Sequence, residues 1–334
     1  MAKRCESANL AQPRAFAYAA GLVSYPKIPT VALAFGALAI GFSPVLAAFA
    51  LKPEYGGFGP AAIGFYRVFF ALPFLWLVLL ATPGKAEKSA RTRRPTGLLA
   101  LAGFFFAIDL VSWHWSINYT TVANATLLAN FAPLWVMLWA GRLFGERITP
   151  RFLVALGLAF VGAAVLMGAS FRLSPTRLFG DVLSLLTAIS YGSYMLTVKK
   201  LRETCPPQEI MAWSGLFATP MMLAVALASG ETLLTPLFVT TLASGETLLT
   251  PNLNGWLVLL GLALVSHFAG QGLIAYAFGH LPAALTSLNL LLQPVFAAAL
   301  GWVLLDEALG GQQLLGAAIV LGALFIANRP AKAK

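Results

Sequence analysis

The chain has 334 residues, of which 59% are hydrophobic and only 10% are Asp, Glu, Lys or Arg. Soluble domains carry about 25% charged residues, so this composition excludes a water-soluble globule and points to a polytopic membrane protein. The net charge of +10 does not call for a nucleic-acid partner, because the basic residues gather between apolar runs, where they serve as topology signals.

Residues 1–29 read as a cytoplasmic lead-in. Lys3 and Arg4 resemble the start of a secretory signal, but the apolar stretch Phe16–Val23 is short and follows Arg14. Ten spans are predicted: Thr30–Leu51, Ala61–Ala81, Leu98–Ile117, Thr121–Leu143, Phe152–Ala169, Gly180–Val198, Glu209–Leu227, Leu253–Leu273, Ala283–Leu305 and Gln312–Asn328. Each has roughly the length a helix needs to cross about 30 Å of hydrocarbon. The alternating segments of an outer-membrane barrel are absent. The fold class is therefore all-α, a polytopic membrane protein with ten transmembrane helices. The link Asn118–Thr120 is so short that the third and fourth helices must be antiparallel neighbours. With the amino terminus in the cytoplasm, eighteen of the 22 Lys and Arg residues fall inside, three fall outside, and Arg67 lies within a span. That bias places both termini, including the tail 329–334, in the cytoplasm of a bacterial inner (plasma) membrane. The segment LASGETLLTP occurs twice, at Leu227–Pro236 and Leu242–Pro251. Residues 229–252 are read as a long outer loop without a mechanistic role, since surface loops tolerate insertion at small entropic cost.

The fourth and ninth runs share a pattern. Pro133 and Pro294 each precede a glutamate, Glu146 and Glu307, by the same spacing. At an offset of 161 positions Pro133 falls on Pro294 and Trp115 on Tyr276. The chain thus divides into a first five-helix unit at 30–169 and a second at 180–328. Five is odd, so the second unit must be inverted in the membrane. Inverted repeats place a substrate site near the midplane, at the seam of the halves.

No phosphate loop, HExxH, GxSxG or CxxC motif is present, and Cys5 and Cys205 are isolated. No catalytic residue, metal or cofactor is expected. Candidate residues are instead polar groups stranded in hydrocarbon, which are functional by default because they are costly. Arg67 and Asp109 lie about 10 and 12 Å below the same surface at 1.5 Å per residue, which suggests an intramembrane ion pair. His114, between Trp113 and Trp115, belongs to an interfacial belt or an aromatic gate. His267 and Gln271 share a helix face, and His267 is either a proton carrier or a structural donor. Tyr191 and Tyr194 also share a face. Asn124, Asn130, Asn289 and Gln293 lie on the two proline helices, where amides join helices or meet a ligand. Pro44, Pro133 and Pro294 are read as helix breaks, since each removes a backbone donor. The fifth and tenth spans carry small residues, among them Gly157, Gly162, Gly316 and Gly322, suited to scaffold packing or a homodimer contact.

The halves WSINYTTVANATLLANFAPLWVMLWAGRLFGERITP and AYAFGHLPAALTSLNLLLQPVFAAALGWVLLDEAL resemble the EamA repeat of the drug/metabolite transporter superfamily. The resemblance covers Thr30–Asn328 and implies ten helices, two inverted halves and export of metabolites. Within that superfamily the chain most resembles the bacterial exporters of aromatic amino acids. On this likeness a central cavity would be lined by the first, third, fourth, sixth, eighth and ninth spans. Ser43, Trp113, Asn130, Tyr191, Tyr194, His267, Gln271 and Gln293 are the expected substrate-binding residues, chosen by polarity and placement. The leading expectation is an inner-membrane exporter of amino acids or similar metabolites. The alternative is a membrane-embedded enzyme acting on a lipid-linked substrate, for which Asp306-Glu307 and Glu146-Arg147 are the nearest charged clusters.

Overall fold

The computed structural model describes residues 26–82, 95–120, 122–167, 177–230, 252–305 and 309–329. Most of the duplicated decapeptide, from residue 231 on, most of the lead-in and tail, Asp306, Glu307 and the Asn124 side chain lie outside the described residues. The remainder is helical, with no strand among the described residues. The order is α1 (Lys27–Leu51), α2a (Pro60–Phe69), α2b (Leu72–Ala81), α3 (Thr96–Tyr119), α4a (Val122–Ala129) and α4b (Ala132–Phe144). There follow α5 (Pro150–Met167), α6 (Leu178–Leu201), α7 (Pro207–Ala228) and α8, made of α8a (Asn252–Gly261), the π-helix α8b (Leu262–Gln271) and α8c (Gly272–Phe278). The last are α9a (Ala283–Asn289), α9b (Leu292–Leu305) and α10 (Gly311–Asn328).

Nine of these helical units, among the described residues, are long and apolar enough to cross a membrane. The other, α6, is 24 residues long but carries Asp181 near one end and Lys199 and Lys200 at the other. Side chains such as Leu80, Leu138, Val303 and Phe325 are exposed, which gives the outside the apolar character that lipid requires. The chain is an all-α, multi-pass membrane protein.

Three spans are broken. Proline has no N–H to give the preceding turn, so the ladder fails just before it. Asn130 and Phe131 form a turn ahead of Pro133, and Leu290 and Leu291 form one ahead of Pro294. The break in the second span, at Phe70–Ala71 ahead of Pro73, is not anticipated by the unbroken stretch Ala61–Ala81. Pro44 departs from expectation in the other direction, because α1 runs through it without interruption. One residue before the Ile40 carbonyl that Pro44 leaves without its helical donor, the Ser266 hydroxyl of α8b donates to the Ala39 carbonyl at 3.0 Å.

Between helices in lipid, close packing matters more than hydrophobic transfer. The contact of α5 with α10 illustrates this. A Cβ on Gly316 would stand 2.2 Å from Leu166 N, and one on Gly162 would stand 2.7 Å from Val320 N. Only glycine permits that approach. These small faces are thus filled by each other within the chain, whereas Gly157 and Gly322 face open space. Around the contact, Leu127, Ala159, Ala163, Leu288 and Val320 form one apolar cluster, and a larger one surrounds Phe106, Met195, Ile210 and Phe278. The cavity is bounded by α1, α3, α4, α6, α8 and α9, with α2a inserted beside them.

Candidate substrate cavity

A cavity of about 140 Å³ opens between these helices. α1 supplies Ser43 and Pro44, α2a Arg67, and α3 Asp109 and Trp113. Thr126 and Asn130 come from α4a and its turn, Thr187 and Tyr191 from α6, Gln271 from α8b, and Gln293 and Pro294 from α9b. Of the sequence-selected residues, Ser43, Trp113, Asn130, Tyr191, Gln271 and Gln293 meet here. Thr126 and Thr187 were not selected, because a single threonine in an apolar helix carries no signal of which way it faces.

Two selected residues lie behind the wall instead. Tyr194 is buried, and its hydroxyl meets Met211 Sδ at 3.5 Å. His267 is buried against Phe106, with ring centroids 5.1 Å apart, and neither ring nitrogen has a hydrogen-bond partner. Phe106 also packs on Tyr194, at 4.9 Å between ring centroids. The three rings form a continuous aromatic backing. Four residues apart in an α-helix, His267 and Gln271 would share a face. In α8b, however, Gln271 reaches the cavity while His267 packs on Phe106 behind it. Short π segments interrupt helices often at functional sites, and this one carries Ser266, His267 and Gln271.

The breaks position the amides. At the α4 turn, Asn130 Nδ2 donates to the Thr126 carbonyl at 2.9 Å, which also accepts the Asn130 backbone N–H at 3.0 Å. At the α9 turn, Gln293 is placed one residue before Pro294, on the cavity. The Tyr191 hydroxyl faces the Gln271 and Gln293 amides, yet neither its oxygen nor Gln293 Nε2 has a fully formed hydrogen bond. Asn289 is not on the cavity; it exchanges with Asn328 of α10 at 2.8 Å and joins helices. His114 is buried within the protein, with Nδ1 at 2.6 Å from the Leu110 carbonyl and its ring edge-on to Trp113.

Arg67 and Asp109 are the charged residues on the cavity. Both are buried, with 5% and 8% exposure, and each feels the charge of the other. Their relation is looser than the expected ion pair. Arg67 Nη1 donates to Ser43 Oγ at 2.9 Å, Nε has no partner, and no direct Arg67–Asp109 ion pair is formed among the described residues. A hydroxyl on α1, rather than the carboxylate on α3, fixes the guanidinium.

A multi-pass helical protein whose broken spans converge on a buried polar cavity has the form of a membrane transporter. The EamA-like transporter family matches the chain twice, over residues 27–168 and 178–329, and the chain belongs to that family. Its relatives are drug/metabolite transporters, in accord with the resemblance read from the two Pro-to-Glu segments. The chain is similar to the pseudopaline exporter CntI of Pseudomonas aeruginosa, at 26% identity over 284 residues, 85% of this chain and 91% of that protein. It is also similar to a probable amino-acid metabolite efflux pump of Salmonella typhimurium, at 29% identity over 206 residues, 60% of this chain and 66% of that one. A solved crystal structure superposes with a TM-score of 0.70 at 17% identity, covering 90% of this chain and 96% of that chain. At that identity the likeness speaks for the fold alone.

Proposed function

We propose that this protein exports small amphipathic metabolites, amino acids with aromatic ones among them, across a bacterial inner membrane. Residues 30–169 and 180–328 would be inverted halves that rock about the cavity and open it to each side in turn, with both termini in the cytoplasm. The observation that carries this reading is the composition of the cavity wall. Trp113 supplies a ring, Tyr191, Gln271 and Gln293 supply oriented polar groups, and Arg67 and Asp109 supply both signs of charge. A largely apolar pocket with a few convergent polar groups is what recognises a small organic ligand. The names of the relatives, a pseudopaline exporter and an amino-acid metabolite efflux pump, support the same direction of reasoning.

The test is efflux from proteoliposomes loaded with each of the twenty amino acids in labelled form. Release of at least one faster than from protein-free vesicles is expected. No release of any of them would overturn the amino-acid assignment.

A further inference from the structure

We propose that Arg67 and Asp109 are the two jaws of a zwitterion clamp, in which Arg67 takes the α-carboxylate of an amino acid and Asp109 its α-ammonium group. This rests on the export reading above and names the feature of the substrate that the cavity recognises.

Two opposite charges buried in a medium of low dielectric attract each other steeply. Each is also costly to bury unless it is compensated. Left to themselves, an arginine and an aspartate at one depth would close on each other. Here they do not: Ser43 holds Nη1 of Arg67 at 2.9 Å, and Nε remains without a partner. Arg67 and Asp109 come from different spans and face one cavity. A guest carrying one charge of each sign satisfies both at once.

The neighbouring groups sort in the same sense. The guanidinium fork suits a carboxylate, which it can bind through two parallel bonds. The Gln293 amide nitrogen and the Tyr191 hydroxyl, both without a completed hydrogen bond, are further donors for an anion. Asp109 is the one anionic acceptor on the wall among the described residues, which leaves the ammonium group to it. Trp113 and Ile40 offer apolar surface to the side chain.

The experiment compares three labelled compounds in proteoliposomes containing the full chain: L-tryptophan, tryptamine, which lacks the carboxylate, and indole-3-propionate, which lacks the ammonium group. A site built around a polar group rejects analogues that lack it, so tryptophan efflux should exceed that of either analogue by at least about tenfold. Arg67→Gln should slow tryptophan while narrowing its advantage over tryptamine. Asp109→Asn should narrow its advantage over indole-3-propionate. Because either variant could fail to fold, the wild-type comparison stands as a test without them. If tryptophan or another amino acid moves but loses no speed on removal of either charge, the clamp is overturned and the export reading survives. If folded variants slow all three compounds equally, Arg67 and Asp109 are a structural pair and the clamp is again overturned. If none of the twenty amino acids moves, both fall.

Discussion

The carboxylate of Glu146, in the turn after α4b, accepts the backbone N–H of Ala284 at 3.0 Å, and that of Ala283 as well. These are the first residues of α9a, so a side chain from the fourth span caps the opening turn of the ninth. A carboxylate is suited to this place, since the first N–H groups of a helix lack internal partners and its N-terminal end carries partial positive charge. Lys199 completes the arrangement from α6, donating to the carbonyls of Phe278 at 3.0 Å and Leu281 at 2.7 Å. The Pro-to-Glu spacing seen in the sequence thus has a structural role in at least its first copy.

Glu146 gives a pH signature. Burial pushes its carboxyl above the ordinary value, and the amides of Ala284 and Ala283 and the charge of Lys199 pull it part of the way back. A folded value above the unfolded one means that folding favours the protonated form. The resulting stability is fully present below the unfolded value of about 4.3 and is lost as pH rises through the higher folded value. Glu146→Gln removes the titration. The difference in Tm between wild type and Glu146→Gln in detergent, followed from pH 4 to pH 8, should therefore fall with rising pH. A constant difference would count against the assignment.

The α5–α10 contact should tolerate no side chain at Gly316. A Cβ there meets the backbone of Leu166 rather than a flexible side chain, so the helices must separate. Gly316→Ala should destabilise the protein by about 1–3 kcal/mol, while Gly157→Ala, which faces open space, should be neutral or slightly stabilising. Thermal unfolding of both variants in one detergent decides this, and equal Tm values would refute it.

The exchange between Asn289 and Asn328, at 2.8 Å from Asn328 Nδ2 to Asn289 Oδ1, ties α9a to α10. A double-mutant cycle with Asn289→Ala and Asn328→Ala should give a coupling of about 0.6 kcal/mol, the average for hydrogen bonds between helices in membranes, and no more than about 1.7 kcal/mol. Strict additivity in unfolding free energies would show that each amide serves its own helix alone, through Leu285 and Leu324.

Tyr191 separates stability from transport. Its hydroxyl lies on the cavity without a completed hydrogen bond, so Tyr191→Phe should cost less than about 0.5 kcal/mol in stability, since no made bond is lost. The same change should lower efflux of the preferred substrate several-fold. Unchanged flux would place the hydroxyl outside the transport path. His267→Phe offers a contrast: with both nitrogens unpartnered in an aromatic pocket, it should leave stability and flux near wild type.

Much of the architecture is legible in residue order alone. Charge scarcity and the length of the apolar runs specify helices in lipid, because no other open structure satisfies its backbone there. The tryptophan, tyrosine and amide positions that reach the cavity are those stranded in hydrocarbon, where a polar group is too costly to be incidental. What escaped is rotation and register. Pro44 and Pro73 look alike in sequence, yet α1 stays whole while the second span breaks. Tyr194 and His267 carry the same polarity as Tyr191 and Gln271, yet both pack on Phe106 behind the wall.

The sequence by itself determined that this chain crosses a membrane many times and that its polar groups converge from several spans, since both follow from transfer free energies and helix length. The tertiary structure alone decided which side of each helix meets the cavity, and that Glu146 reaches Ala283 across the fold. Those outcomes depend on contacts between residues far apart in the chain, and local periodicity carries no record of them.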